Sequence, residues 1–224
     1  EEKIKKVMQI LKEDFAGFDA QLIIMDVVPW MLPYYEASGI QFEIEDNRDY
    51  MDYTFTPEQF LAGMDMQDDR YRYNYFKRRF AYETEEITPF HREEIREFME
   101  REWCGEKTCE ECHCGCLLRV IDNLVPVFDK IRINGILVRV EGKMAGLCIV
   151  SCRNGLGVYQ YKNAVNRIKG INEYLLRESF ERYLQSADTI NYTEDMGVEN
   201  LRYYKEHMAP AHTLLSKLTL TERG

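Results

Sequence analysis

Five cysteines and one histidine fall within thirteen residues: Cys104, Cys109, Cys112, His113, Cys114 and Cys116. Thiolate and imidazole are zinc ligands, and Cys109-x-x-Cys112 has the spacing of a half-site. A closed tetrahedral site draws its halves from separated knuckles, however, and only one cluster is present here. Cys109, Cys112 and Cys116 also recur at i, i+3 and i+7, one face of a helix, where cysteine packs as a small apolar residue. The reading adopted is a reduced, metal-free helix face, so no metal ligands are assigned. Zinc or redox chemistry is the alternative. His91 and His113 are the only partners evident for thiol catalysis.

A second group is Arg167-Ile168-Lys169-Gly170-Ile171-Asn172. It stands where an apolar helical pattern begins, and a helix start presents free N–H groups and the positive end of a dipole to an anion. Arg167 and Lys169 add charge beside them. A third is Arg70-Tyr71-Arg72-Tyr73-Asn74-Tyr75-Phe76-Lys77-Arg78-Arg79-Phe80, basic residues interleaved with aromatics. Such a run can bind single-stranded nucleic acid by stacking and phosphate contact. The plainer reading is an amphipathic helix whose aromatics face the core while arginine stems cover its rim.

These residues sit in a 224-residue chain that is 45% apolar and carries a formal charge of −10. A core of some size can be buried, and wide coating of nucleic acid is disfavoured. The charge is uneven. Residues 1–112 hold 14 Lys and Arg against 27 Asp and Glu, a net of −13, whereas residues 113–224 hold 15 against 12, a net of +3. An anionic ligand is expected to prefer the C-terminal half. No run reaches the roughly 18–20 apolar residues that span a bilayer, there is no signal peptide, and seven cysteines in a chain of this length suit a reducing compartment. The expected location is the cytoplasm. The chain opens Glu-Glu-Lys without an initiator Met and reads as a fragment.

The elements that must position the groups follow from periodicity and turn signals. Helices are expected at 3–16, at Pro29–Ser38 closed by Gly39, and from the capping box Thr56-Pro57-Glu58-Gln59. Leu22–Val28 reads as a strand buried on both faces and Gln41–Glu45 as a half-buried strand. From residue 80 the expected order is a strand at Ala81–Ile87, a helix from Thr88-Pro89 to about Trp103, and a second helix over about 110–129. Three strands of a meander follow at Ile136–Val140, Ala145–Ser151 and Val158–Tyr161, with turns at Glu141-Gly142-Lys143 and Arg153–Gly157. A helix at Gly170 to about Gln185, a strand at Thr189–Thr193, a helix at Val198–His207 and a strand at Thr213–Thr221 complete the chain.

Over residues 80–224 this order resembles the GNAT acyltransferase fold, whose donor pyrophosphate rests on a Gln/Arg-x-x-Gly-x-Gly/Ala turn. Arg167 and Gly170 match that turn and Asn172 departs from it at the last position. The tail Asn191-Tyr-Thr-Glu-Asp195-Met-Gly197-Val-Glu-Asn-Leu201-Arg202-Tyr-Tyr-Lys205-Glu-His-Met-Ala-Pro210 is similar to the closing motif of a bacterial family related to the C-terminal domain of phosphatidylglycerol lysyltransferase. Asp195, Gly197, Leu201, Arg202, Lys205 and Pro210 all match. Asp49–Tyr53 with Thr56–Gly63, and Tyr75–Phe80, resemble upstream segments of that family, whereas Lys162-Asn163-Ala164 stands where many members have Glu-Lys-Ala.

The resemblance implies an α+β, GNAT-like acyltransferase fold with a partial N-terminal unit at 1–80 and a complete unit at 81–224, no Gly/Ser/Pro-rich linker separating them. It implies acyl or aminoacyl transfer, with acyl-CoA as co-substrate or the aminoacyl-tRNA 3′ end as donor, and no tightly bound cofactor. Arg167, Lys169, Gly170 and Asn172 are the expected donor clamp. Tyr204, Asp195 and Lys205 are the expected catalytic group, with Tyr204 as proton source, Tyr203 as its rival, and Asp195 paired with Lys205 across the turn. Tyr159, Lys162 and Arg202 are expected to hold the substrate. A non-catalytic binding or assembly protein on a degenerate GNAT fold is the alternative.

Overall fold

The computed structural model describes residues 2–15, 22–46, 48–104, 117–208, 210–213 and 215–220. In chain order the elements are α1 (Glu2–Phe15), β1 (Ile23–Val27), α2 (Leu32–Glu36), β2 (Phe42–Asp46), β3 (Asp52–Phe55), α3 (Pro57–Met64), α4 (Gln67–Arg79), β4 (Tyr82–Glu86), α5 (Arg92–Met99) and α6 (Leu117–Leu124). Then come β5 (Asn134–Val140), β6 (Lys143–Arg153), β7 (Leu156–Ala164), α7 (Ile171–Ser179), β8 (Thr189–Asn191), α8 (Glu199–His207), β9 (Ala211–Thr213) and β10 (Ser216–Leu220).

The chain divides into two compact units, residues 1–54 with 193–224, and residues 55–192. These units cut the sequence differently from the expected division at residue 80. The reason is packing: α4 lies against α7 in the second unit, while the tail returns to the strands at the start of the chain.

In the first unit, β10 lies between β1 and β2 in an antiparallel sheet, with Ile23 opposite Thr219 and Ile44 opposite Leu218. β9 pairs antiparallel with β3, setting Tyr53 opposite His212. Met8, Val27, Tyr53, Met208 and Leu218 are buried there. Ile23 and Met25 share one face of β1 and stay exposed, so that face is uncovered, against the expectation of burial on both faces.

In the second unit, β4, β5, β6 and β7 form an antiparallel meander, and β8 joins β7 in parallel. The antiparallel turns at Glu141–Gly142 and Asn154–Gly155 place all four residues at positive φ, as tight hairpins of this hand require. Tyr159 on β7 donates to the Leu176 carbonyl of α7 (2.8 Å), and Tyr161 donates to the sulfur of Met99 in α5 (3.0 Å). A bulge at Gln160 turns these two tyrosines to opposite faces, so α7 and α5 cover opposite faces of the sheet. Thr56 caps α3 as its sequence foretells: Gln59 N–H donates to the Thr56 hydroxyl and Thr56 N–H to the Gln59 side chain. That capped helix delivers Phe60, fully buried against Phe55, Tyr159, Phe180 and Tyr192 at ring separations of 5.3–5.7 Å.

Three further differences from the sequence reading have local causes. The strand expected at 213–221 is β10, and a separate short strand that the sequence reading passed over, β9, precedes it and hydrogen-bonds to a different partner. β3 is too short to show a period of its own. The helix expected over 110–129 is described from Leu117, and it tightens into a 3₁₀ turn at Val125–Val127, where Pro126 cannot donate. Residues 105–116, and with them most of the cysteine cluster, lie outside the described residues. Among the described residues no helix is long and apolar enough to cross a membrane.

Candidate functional site

β7 and β8 share only three register pairs, Leu156 with Thr189, Gly157 with Ile190 and Val158 with Asn191. β7 runs on to Ala164, so the two strands diverge beyond Val158. At the divergence Ile149 pairs with Tyr161 and Val150 with Tyr159, which leaves Gln160 as an extra residue, a β-bulge. Residues three apart on a regular strand face opposite ways. The bulge brings Tyr159 and Lys162 to the same face, where Tyr159 reaches Leu176 and the Lys162 ammonium donates to Asn172 Oδ1 (3.2 Å) in the first turn of α7. Tyr192, the residue after β8, joins them: its ring lies 5.2 Å from that of Tyr159, and its phenol feels the Lys162 charge. Burial pushes the Tyr192 phenol pKa up, and the Lys162 charge pulls it back. Cys148, opposite Lys162 on β6, is buried, which pushes its thiol up to about 11 and keeps it protonated at neutral pH.

The start of α7 is fixed by Gly170. Its φ is +88°, and a Cβ built there would stand 2.1 Å from the Arg72 carbonyl oxygen, so α4 and the turn meet backbone to backbone. Lys169 lies over the rings of Tyr71 and Tyr75 (4.8 and 5.3 Å), a cation–π contact with the basic-aromatic helix. Arg72 pairs with Glu173 in the first turn of α7 (3.3 Å). Arg167 is exposed, its guanidinium 3.6 Å from Glu102. The expected clamp residues Arg167, Lys169, Gly170 and Asn172 thus gather around one helix start, with Tyr159 and Lys162 on the adjoining strand. In α4, Phe76 is fully buried, as the amphipathic reading expects, while Tyr71 is 56% exposed.

The tail residues form a separate group within the first unit. Asp195, with no exposed side-chain surface, accepts from Arg48 Nη1 (3.0 Å), from Arg202 through Nε (3.0 Å) and Nη2 (3.1 Å), from Gly197 N–H (2.9 Å), and from the Tyr53 hydroxyl. Burial works to raise the Asp195 pKa. Bonds from Arg202, Tyr53, Gly197 and Arg48 outweigh it and hold the carboxyl well below the usual range. Arg202 also reaches Asp49 (2.6 Å), and Arg48 reaches Glu206 (3.1 Å), which pairs with His212 (3.1 Å). Gly197 has φ +74°, and a Cβ there would sit 2.9 Å from Asp49 Oδ2. Lys205, 3% exposed, donates to the carbonyls of Thr193 (3.2 Å) and Glu194 (2.7 Å). Tyr204 is half-buried, whereas Tyr203 is 75% exposed and stacks on His207.

Sequence reasoning singled out Asp195, Arg202 and Lys205 but passed over Arg48 and Tyr53 as their partners, and Tyr192 as a neighbour of Lys162. Arg48 and Tyr53 lie more than 140 residues upstream of Asp195, beyond the reach of local periodicity. Among the described residues no group of three or more His, Cys, Asp and Glu could hold a metal ion.

A parallel strand pair that opens beside a helix start, built on an antiparallel meander with helices on both faces, defines a GNAT-like acyltransferase fold. The sequence profile described as phosphatidylglycerol lysyltransferase, C-terminal, matches residues 1–216, and the chain belongs to that family. A conserved protein of unknown function from Bacteroides thetaiotaomicron VPI-5482 shares the fold with a TM-score of 0.80 at 24% identity, over 97% of this chain and 75% of that one. The structure of L-PGS from Bacillus licheniformis superposes with a TM-score of 0.67 at 14% identity, over 99% of this chain and 73% of that one. A tandem GNAT protein from the clavulanic acid biosynthesis pathway does so with a TM-score of 0.55 at 10% identity, over 98% of this chain and 70% of that one. At these identities the likeness is one of fold. Among curated proteins none matches this chain.

Proposed function

We propose that the protein transfers an acyl or aminoacyl group from an activated donor, acyl-CoA or the 3′ end of aminoacyl-tRNA, to an amine or hydroxyl. The observation that carries this reading is the opening between β7 and β8 beside the start of α7. Donors of both kinds join an anionic phosphate-bearing part to a reactive carbonyl. The phosphate end suits the N–H groups at the start of α7, with Arg167, Lys169, Gly170 and Asn172 around them. The carbonyl end suits the stretch of β7 beyond Val158, past its last pairing with β8. Tyr159 and Lys162 line the way between them. In this reading Asp195, Arg202 and Lys205 hold the turn from which α8 departs. The net +3 charge of residues 113–224 favours the anionic donor, and the net −10 of the chain limits its contact with RNA to a short segment.

Thermal shift against CoA, acetyl-CoA, longer acyl-CoAs and aminoacyl-tRNA tests the reading. A donor at 100 times its Kd stabilises the fold by about 2.7 kcal/mol, a rise of a few degrees for a chain of this size. An unchanged melting temperature with every donor turns the assignment to the non-catalytic binding protein.

A further inference from the structure

The basic-aromatic helix α4 buries Phe76, but Tyr71 is 56% exposed, so core packing does not account for it. Tyr71 and Tyr75 stand four residues apart on one helix face, their rings 6.2 Å apart and tilted by 39°. Lys169, itself exposed, lies over both rings at 4.8 and 5.3 Å. Backbone fixes the arrangement. α4 and the turn before α7 meet at Arg72 and Gly170, and Tyr71 and Lys169 are the residues just before each of them. An aromatic pair with an ammonium upon it therefore stands beside the start of α7, within the same compact unit. Arg72 meets the charge of Glu173 in the first turn of α7 (3.3 Å), while the Lys169 ammonium rests on rings rather than on a carboxylate.

We propose that Tyr71, Tyr75 and Lys169 form a platform for the nucleotide base next to the donor's phosphate, the base stacking on Tyr71 while Lys169 turns its charge to the phosphate. The proposal rests on the transferase reading. Both donor classes carry such a base: adenine beyond the pyrophosphate of acyl-CoA, and the last bases of the RNA in aminoacyl-tRNA. With the phosphate on the N–H groups of α7, a base one linkage away is within reach of a platform that begins at the residue before Gly170. A nucleotide asks for a flat π surface and a positive charge together, and Tyr71 and Lys169 supply both. Stacking accepts any base, so the platform suits either donor. A phosphate without a base gains nothing from Tyr71.

The test is titration calorimetry with three probes: acetyl-CoA, the RNA trinucleotide CCA, and S-acetyl-4′-phosphopantetheine, which keeps the thioester and a phosphate but has no base. Tyr71→Ala should weaken acetyl-CoA or CCA by roughly five- to a hundredfold, the range of one base stacked on an aromatic ring, and leave the baseless probe within about twofold. Tyr71→Phe, which keeps the ring, should bind as wild type does. A loss with acetyl-CoA names the coenzyme as the source of the base, a loss with CCA names the RNA end, and either supports the platform. An equal loss with the baseless probe makes Tyr71 a structural brace and overturns the proposal, as does unchanged affinity for acetyl-CoA and CCA. The transferase reading stands in both cases. Melting temperature is the folding control. If Tyr71→Ala does not fold, wild type decides: ADP should displace the bound probe at a concentration about fivefold or more below that of inorganic pyrophosphate, and equal concentrations overturn the proposal. Wild type that binds only the baseless probe, or only intact aminoacyl-tRNA, overturns the proposal alone, and wild type that binds none of these overturns both.

Discussion

Asp195 is a carboxylate with no exposed surface, and such a group is stable only when its charge is met. Arg48, Arg202, Tyr53 and the Gly197 N–H meet it. The two arginines are 40% and 34% exposed, so water shares the work and the cost of losing the charge is held toward the lower end for a buried pair. Asp195→Asn should destabilise the fold by roughly 1.5–3 kcal/mol at neutral pH, read as a shift in the urea midpoint. The folded-state pKa lies below the unfolded value of about 3.9, so this stability is complete above that pH and is lost as pH falls toward the folded value. The gap between wild type and variant should therefore shrink as the urea series is taken to acid. A gap that stays constant would mean that the charge of Asp195 is not its source. The resemblance of the tail to the family's closing motif announced Asp195, Arg202 and Lys205 in the sequence. What it could not announce was which cation Asp195 would take: Arg202, seven residues on, closes the turn, and Lys205 is spent on the carbonyls of Thr193 and Glu194.

Among the elements, α7 shows what local signals can and cannot reveal. A glycine behind two basic residues, followed by an apolar helical pattern, marked its start, and the helix begins there. The reason that glycine is needed lay elsewhere, in the backbone of α4 at Arg72, a contact between segments almost a hundred residues apart. Gly170→Ala should lower stability by about 1–3 kcal/mol, because a Cβ meets both a positive φ and a carbonyl oxygen, and it should loosen Lys169 from Tyr71 and Tyr75. A wild-type melting temperature in that variant would contradict the backbone contact. The meander was legible because hairpin turns carry strong residue preferences. β3 and β9 were not, since strands this short take their identity from the partner they find. The bulge at Gln160 is of the same kind: nothing about a glutamine signals it, yet it puts Tyr159 and Lys162 on one face.

For the molecule as a whole, the charge asymmetry, the family and the fold point the same way. The acidic half supplies most of the first unit, whereas the opening between β7 and β8, the start of α7 and the basic residues of α4 all belong to the second. The central claim is that an anionic, carbonyl-bearing donor lies in that opening. Amide hydrogen exchange with and without the donor that gives the largest thermal shift tests it most directly. The account predicts slowed exchange at the start of α7, over Lys169–Tyr174, and along β7 from Tyr159 to Ala164. Protection confined to residues 1–54 and 193–224, with those two segments unchanged, would contradict it.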